Sequence, residues 1–168
     1  MDESKFWDLI QRANDKSGGI MDRKCKAIQA AVALLSRKEA TDFKHHFDRM
    51  MDLAYCWPLW AAAHIISGFC SDDKFSDFRA SLISRGQRAF ESAIADPESL
   101  ADCDDYDEES WFYEGYEYAI HDCVVAAAGV FPDRLTPVPQ QPSGKLWEED
   151  VFQLFPMLSK QFANTYMR

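Results

Sequence analysis

The chain has 168 residues, 47% of them hydrophobic and 14% aromatic, and carries a formal net charge of −10. That length fits one domain able to bury a full core without disulfides or metal. The acidic balance argues against nucleic acid and against an anionic membrane surface as main ligands, since both call for Lys and Arg; it suits solubility or a basic protein partner.

Asp2 is placed to cap a first helix with Phe6, Trp7, Ile10 and Ala13 on one side, and Ser17-Gly18-Gly19 is placed to end it. Met21, Cys25, Ile28, Val32 and Leu35 are spaced 4, 3, 4, 3, which is one face of a second helix. Ser36-Arg37-Lys38-Glu39 reads as a capping box opening a third, whose stripe is Phe43, Phe47, Met50 and Ala54. Trp57-Pro58 interrupts it, because proline disfavours helix in the residue before it and clashes with the preceding turn. Leu59 to Ser67 is apolar on all sides and is predicted to lie at the centre of the core.

Ser71-Asp72-Asp73 offers caps for a helix carrying Phe75, Phe78, Leu82 and Ile83. Ser84-Arg85-Gly86 marks a bend before a shorter helix with Ala89, Phe90, Ala93 and Ile94, and Asp96-Pro97 opens one more turn. After the acidic run at 102–109, one long helix is predicted from about Glu108 to Gly129 on the stripe Phe112, Tyr116, Ala119, Ile120, Cys123 and Ala127. Pro132, Pro137, Pro139 and Pro142 make residues 130–144 a loop of extended, partly polyproline character. Residues 145–168 hold two helical pieces, with Trp147, Val151 and Leu154, then Leu158, Phe162 and Tyr166. The expected fold is a single all-α domain over 1–168 with seven to nine helices and little or no β-sheet.

Cys25, Cys56, Cys70, Cys103 and Cys123 are odd in number and form no CxxC pair, so neither a zinc site nor a disulfide framework is expected, and a reducing compartment is. The polar start, Met1-Asp2-Glu3-Ser4-Lys5, lacks the pattern of a signal peptide, and no apolar stretch approaches the ~20 residues of a membrane span.

The acidic run fails as an EF-hand loop, because its sixth position is Asp107 rather than Gly and its twelfth is Tyr113 rather than Glu. It reads as a solvated helix start, or as a surface for a basic partner. Glu114, Glu117 and His121 share a helix face turned away from the apolar stripe and are expected to meet water rather than a metal. Asp42, His45, His46 and Asp48 flank the third helix's stripe and read as surface polar groups. His64 sits in an apolar segment, as a hydrogen-bonded core histidine or as a pocket residue. Phosphate-cradling glycine loops, GxSxG and HExxH are all missing from the sequence, so no catalytic residue, metal or cofactor is assigned.

The residues Phe6-Trp7, Trp57-Pro58-Leu59-Trp60-Ala61-Ala62-Ala63, Gly68-Phe69-Cys70-Ser71-Asp72-Asp73-Lys74-Phe75-Ser76-Asp77-Phe78-Arg79, Leu82-Ile83-Ser84-Arg85-Gly86 and Ala95-Asp96-Pro97 resemble the bacterial domain-of-unknown-function family numbered 4240 over about residues 2–130. The resemblance implies a small, mostly cytoplasmic bacterial protein and transfers no activity. In size and acidity such proteins are similar to immunity proteins that neutralise toxins.

Two functional expectations result. The first is a non-enzymatic protein-binding domain, in its sharpest form an immunity protein or inhibitor of a basic toxin. Its contact residues would be Asp104, Asp105, Asp107, Glu108, Glu109, Trp111, Tyr113, Glu114 and Tyr118. The second is a small-ligand binder or enzyme using a groove at residues 57–86, with Trp60, His64, Asp72, Asp73, Arg79 and Arg85 as its lining. In that segment Arg79 and Arg85 are placed to pair with Asp72 or Asp73. A homodimer burying exposed aromatics is compatible with either.

Overall fold

The computed structural model describes residues 1–103, 107–148 and 150–162. Helix α1 (Glu3–Ser17) begins where the Asp2 carboxylate accepts the Lys5 N–H at 2.8 Å, and it stops at Gly18, whose φ of 59° costs glycine nothing. It buries Phe6, Trp7, Ile10 and Ala13 against α2 (Met21–Val32). Helix α2 ends at Val32, so Leu35 lies beyond it. Its buried face also includes Lys24, only 4% exposed, whose Nζ donates to the Ser84 hydroxyl at 3.3 Å.

The capping box forms as the residues dictate. Ser36 Oγ accepts the Glu39 N–H and Glu39 accepts the Ser36 N–H, opening α3 (Arg37–Leu53). Phe43, Phe47 and Met50 are buried, and so are Lys44 and Asp48, which pair with one another. The surface reading of Asp48 is therefore corrected. Pro58 stands in the first turn of α4 (Trp57–Ser67), where its missing N–H does no harm. Leu59, Ile65 and Ile66 of α4 are fully buried, each worth about 1.5–3 kcal/mol.

Ser71 caps α5 (Asp72–Ser84), Gly86 turns the chain into α6 (Gln87–Ala95), and Asp96 caps a 3-10 turn (Pro97–Asp102). The single helix expected over 108–129 is two. Helix α7 (Glu108–Trp111) breaks at Phe112, and α8 runs from Gly115 to Ala128. The break has two causes. The Tyr113 N–H leaves the helical ladder to bond Ser81 Oγ at 3.1 Å, and the rings of Trp111 and Phe112 both settle against Phe78. Helix α8 packs on α2, α3 and α5 and makes the middle of the fold.

Residues 130–144 form a non-helical strap pinned to α3. Arg134 donates to both oxygens of Asp52 at 2.7 and 2.6 Å and reaches Asp48 at 3.1 Å. His45 Nε2 meets the Asp133 carbonyl at 3.0 Å, and Lys44 lies over the Phe131 ring. The strap closes where Ser143 pairs with the α3–α4 junction: its N–H donates to the Tyr55 carbonyl and its carbonyl accepts the Trp57 N–H, both at 2.9 Å. This parallel bridge is the β feature recorded among the described residues. Trp147, expected within a helix, precedes α9 (Val151–Leu154) and stands edge-on to Trp57. Helix α10 (Pro156–Phe162) packs on α4 and the 3-10 turn through Leu158 and Phe162, its Leu158 N–H held by Glu98 at 3.0 Å. Tyr166 lies outside the described residues. No helix among the described residues is long and apolar enough to cross a membrane.

Candidate functional site

The outer side of α5 and the α7–α8 corner bring carboxylates together. Asp73 and Asp77 are one turn apart on α5, and Glu114 and Glu117 stand at the start of α8. Ser76 Oγ bridges the two helices, donating to Glu117 at 3.1 Å while receiving the Arg79 guanidinium at 3.4 Å. Partial burial, then the charges of Glu114, Glu117 and Asp73, push the Asp77 carboxyl up to about 6. Lys74 offers one compensation, bonding Glu108 at 2.9 Å. Tyr118, 64% exposed, stands on the same helix as Glu117. Among the described residues no group of three or more His, Cys, Asp and Glu is arranged to hold a metal ion.

Of the residues expected to contact a partner, Asp107, Glu108, Glu109, Glu114 and Tyr118 are exposed. Asp104 and Asp105 lie outside the described residues. Trp111 is a correction: it is 2% exposed, its ring turned into the core beside Phe78 with Arg85 stacked 4.7 Å above it. Tyr113 is half-buried and donates its hydroxyl proton to Asp22 at 2.6 Å, which pushes the phenol up to about 12.

Of the six residues of the 57–86 segment, Trp60, His64 and Arg79 are engaged with backbone groups. Trp60 Nε1 donates to the Cys70 carbonyl at 2.9 Å, and His64 Nδ1 accepts the Cys70 N–H at 3.4 Å. The two side chains thus hold the α4–α5 turn from both sides. Arg79 does not pair with Asp72 or Asp73, which are exposed. Its guanidinium is drawn inward to the Met51 carbonyl at 2.9 Å, over the Tyr55 ring. That contact satisfies a C-terminal carbonyl of α3 and ties α5 to it. Arg85 instead lines a cleft of about 720 Å3 between the α1–α2 turn and α7, with Lys24, Asp22, Asp107, Glu109 and Tyr113. This cleft joins one residue of the pocket set to three of the partner set. Sequence reasoning missed Asp77, Asp22 and Lys24. Asp77 had a signal, its spacing of four from Asp73; Asp22 and Lys24 had none, because their neighbours come from distant segments.

The cysteines are free thiols. Burial pushes Cys70 and Cys123 up to about 12 and raises Cys25 and Cys56, which leaves little thiolate for nucleophilic work.

A family described as a protein of unknown function (DUF4240) matches residues 1–124. The chain belongs to this family. The DUF4240 region takes in α1 through α7 and most of α8, so both the acidic corner and the 720 Å3 cleft fall within it. The strap, α9 and α10 follow it. The DUF4240 description names no activity, so none is transferred. No curated protein and no solved structure matches the chain.

Proposed function

We propose that this DUF4240 chain is a non-enzymatic protein-binding domain whose acidic face, from α5 and the α7–α8 corner, takes a basic protein partner. The supporting observation is the convergence of Asp73, Asp77, Glu114 and Glu117, where partial burial and then the neighbouring carboxylates push the Asp77 carboxyl up to about 6. A surface that raises its own carboxylate gains most from an approaching cation, which relieves the repulsion and speeds encounter. The sharpest form of this reading is an immunity-type inhibitor neutralising a basic toxin. It includes a bacterial cytoplasmic setting, supported by the five free cysteines.

The test is capture of a partner by the wild-type chain and by the double variant Glu114→Lys, Glu117→Lys, at low and at high salt. Retention by the wild type at low salt, lost at high salt and lost in the variant, is the expected result. A partner held equally by both chains at both salts would sink the idea. The small-ligand reading of residues 57–86 has less support, because Trp60, His64 and Arg79 are already engaged with backbone groups.

A further inference from the structure

The turn between α4 and α5 leads into the acidic face. Its residues are Gly68, Phe69, Cys70 and Ser71, and Asp72 and Asp73 open α5 directly after it. Phe69 is 69% exposed. An exposed apolar side chain is by itself ordinary on a protein surface. What sets this one apart is the backbone that carries it. Three side chains of α4 reach forward to hold two consecutive residues. The Ser67 hydroxyl, shared with the Ala63 carbonyl, lies 2.9 Å from the carbonyl of Phe69. His64 Nδ1 accepts the Cys70 N–H at 3.4 Å, and Trp60 Nε1 donates to the Cys70 carbonyl at 2.9 Å. The Cys70 side chain, 5% exposed, is buried in the core. Gly68, at φ 77°, makes the reversal that other residues resist. His64 also stands edge-on to the Phe69 ring, 5.9 Å between centroids, and steadies the ring from one side.

The hydrogen bonds all run to backbone atoms, so they would hold with any side chain at position 69. A ring left mostly in water returns little apolar burial to the fold. Association is what rewards it. Aromatic rings are enriched at protein interfaces, and one held in place beforehand has less freedom to lose on binding. The charges around it are mainly negative. Asp72 and Asp73 are exposed and Asp77 follows one turn on, while Lys74 of the same first turn is already bonded to Glu108 at 2.9 Å.

We propose that Phe69 is the apolar anchor of the acidic face: its ring enters an apolar pocket of the basic protein partner, and Lys or Arg side chains on the rim of that pocket meet Asp72 and Asp73. The proposal rests on the acidic-face reading and adds to it the chemistry of the partner's surface, an apolar socket ringed by cations.

The test replaces the ring with a photoreactive one. Phe69→p-benzoylphenylalanine is irradiated in native cell lysate at low salt. Leu34→p-benzoylphenylalanine, at an 88% exposed position just after α2, is the control. The expected result is an adduct specific to position 69, mapped by mass spectrometry to an apolar residue of a partner with Lys or Arg beside it. That partner, once purified, should bind Phe69→Ala about tenfold or more weakly than wild type in titration calorimetry. No adduct at position 69, an equal adduct at position 34, or an adduct with a second copy of this chain overturns the proposal. So does undiminished binding by Phe69→Ala. The double variant Glu114→Lys, Glu117→Lys tells the two failures apart. A partner lost by the double variant but kept by Phe69→Ala leaves the acidic face standing without this anchor. A partner that depends on Phe69 yet ignores both salt and the double variant removes the acidic-face reading, and the charged rim proposed here with it.

Discussion

Asp77 and His64 titrate in opposite senses. An acid whose pKa rises on folding is carried most easily while protonated. The stability that proton confers therefore fades as pH climbs from the ordinary 3.8 to about 6, and the loss is complete above that. Asp77→Asn should be more stable than wild type by about 0.5–1 kcal/mol at pH 7, a figure reduced for solvent screening, and equal to it near pH 3. Urea unfolding at the two pH values reads this directly; a constant difference would show that charge is not the cause. His64 is pushed down by partial burial, so the stability of its neutral form is present above 6.5 and lost as pH falls through its lowered value. Protonation there also removes the acceptor of the Cys70 N–H. The same Asp77 gives the partner reading a pH signature. A cationic partner prefers the ionised carboxylate, so affinity should climb with pH through about 6 and level off above it, as titration calorimetry across that range would show.

At the scale of elements, caps and junctions decide where helices start and stop. Ser36→Ala removes the acceptor of the Glu39 N–H and should cost about 1 kcal/mol, seen as a lowered thermal midpoint. Arg134→Ala frees the strap from Asp48 and Asp52. A loss of about 1–2 kcal/mol is expected for these half-buried pairs, with faster proteolytic cleavage between residues 135 and 141. Unchanged cleavage would mean that the contacts of Ser143, His45 and Lys44 suffice to hold the strap. The helices from α1 to α6 were legible because each carries some local signal: a side-chain cap at the start of α1, α3 and α5, a stripe spaced by three and four in α2, an early proline in α4, and a glycine that opens α6. The break between α7 and α8 was not, since its cause is the hydroxyl of Ser81 on α5 drawing away the Tyr113 N–H. The burial of Lys24 and Asp48 was hidden for the same reason. Ser84, which bonds Lys24, and Arg134, which joins Asp48 beside its local partner Lys44, arrive from far along the chain. Of the candidate surface, the exposed carboxylates at 107–109 and 114 could be read from pattern, while Trp111 could not: its aromatic neighbour Phe78 belongs to another helix.

In the whole molecule, α8 lies against α2 and α3, and the rest of the fold is arranged around them. Their amides should exchange with solvent only through global unfolding. Those of the strap and of α9 should exchange through smaller openings, in a hydrogen-exchange experiment run in the native state. The central helices exchanging as fast as the strap would contradict this arrangement. Several large apolar side chains stay exposed, Leu135 and Val138 on the strap and Phe69 at the α4–α5 turn among them.

The pairing of Ser143 with Tyr55 and Trp57 has a consequence in time as well as in space. A ribosome adds roughly 5–20 residues each second, so the α3–α4 junction emerges several seconds before the residue that closes over it. Until then, the carbonyl of Tyr55 and the amide of Trp57 have only water to bond. Helices α1 to α8 can assemble during that interval, and the strap then lands on a surface already built. The contacts of Arg134 and Ser143 should form after that assembly, with those of α9 and α10 following them.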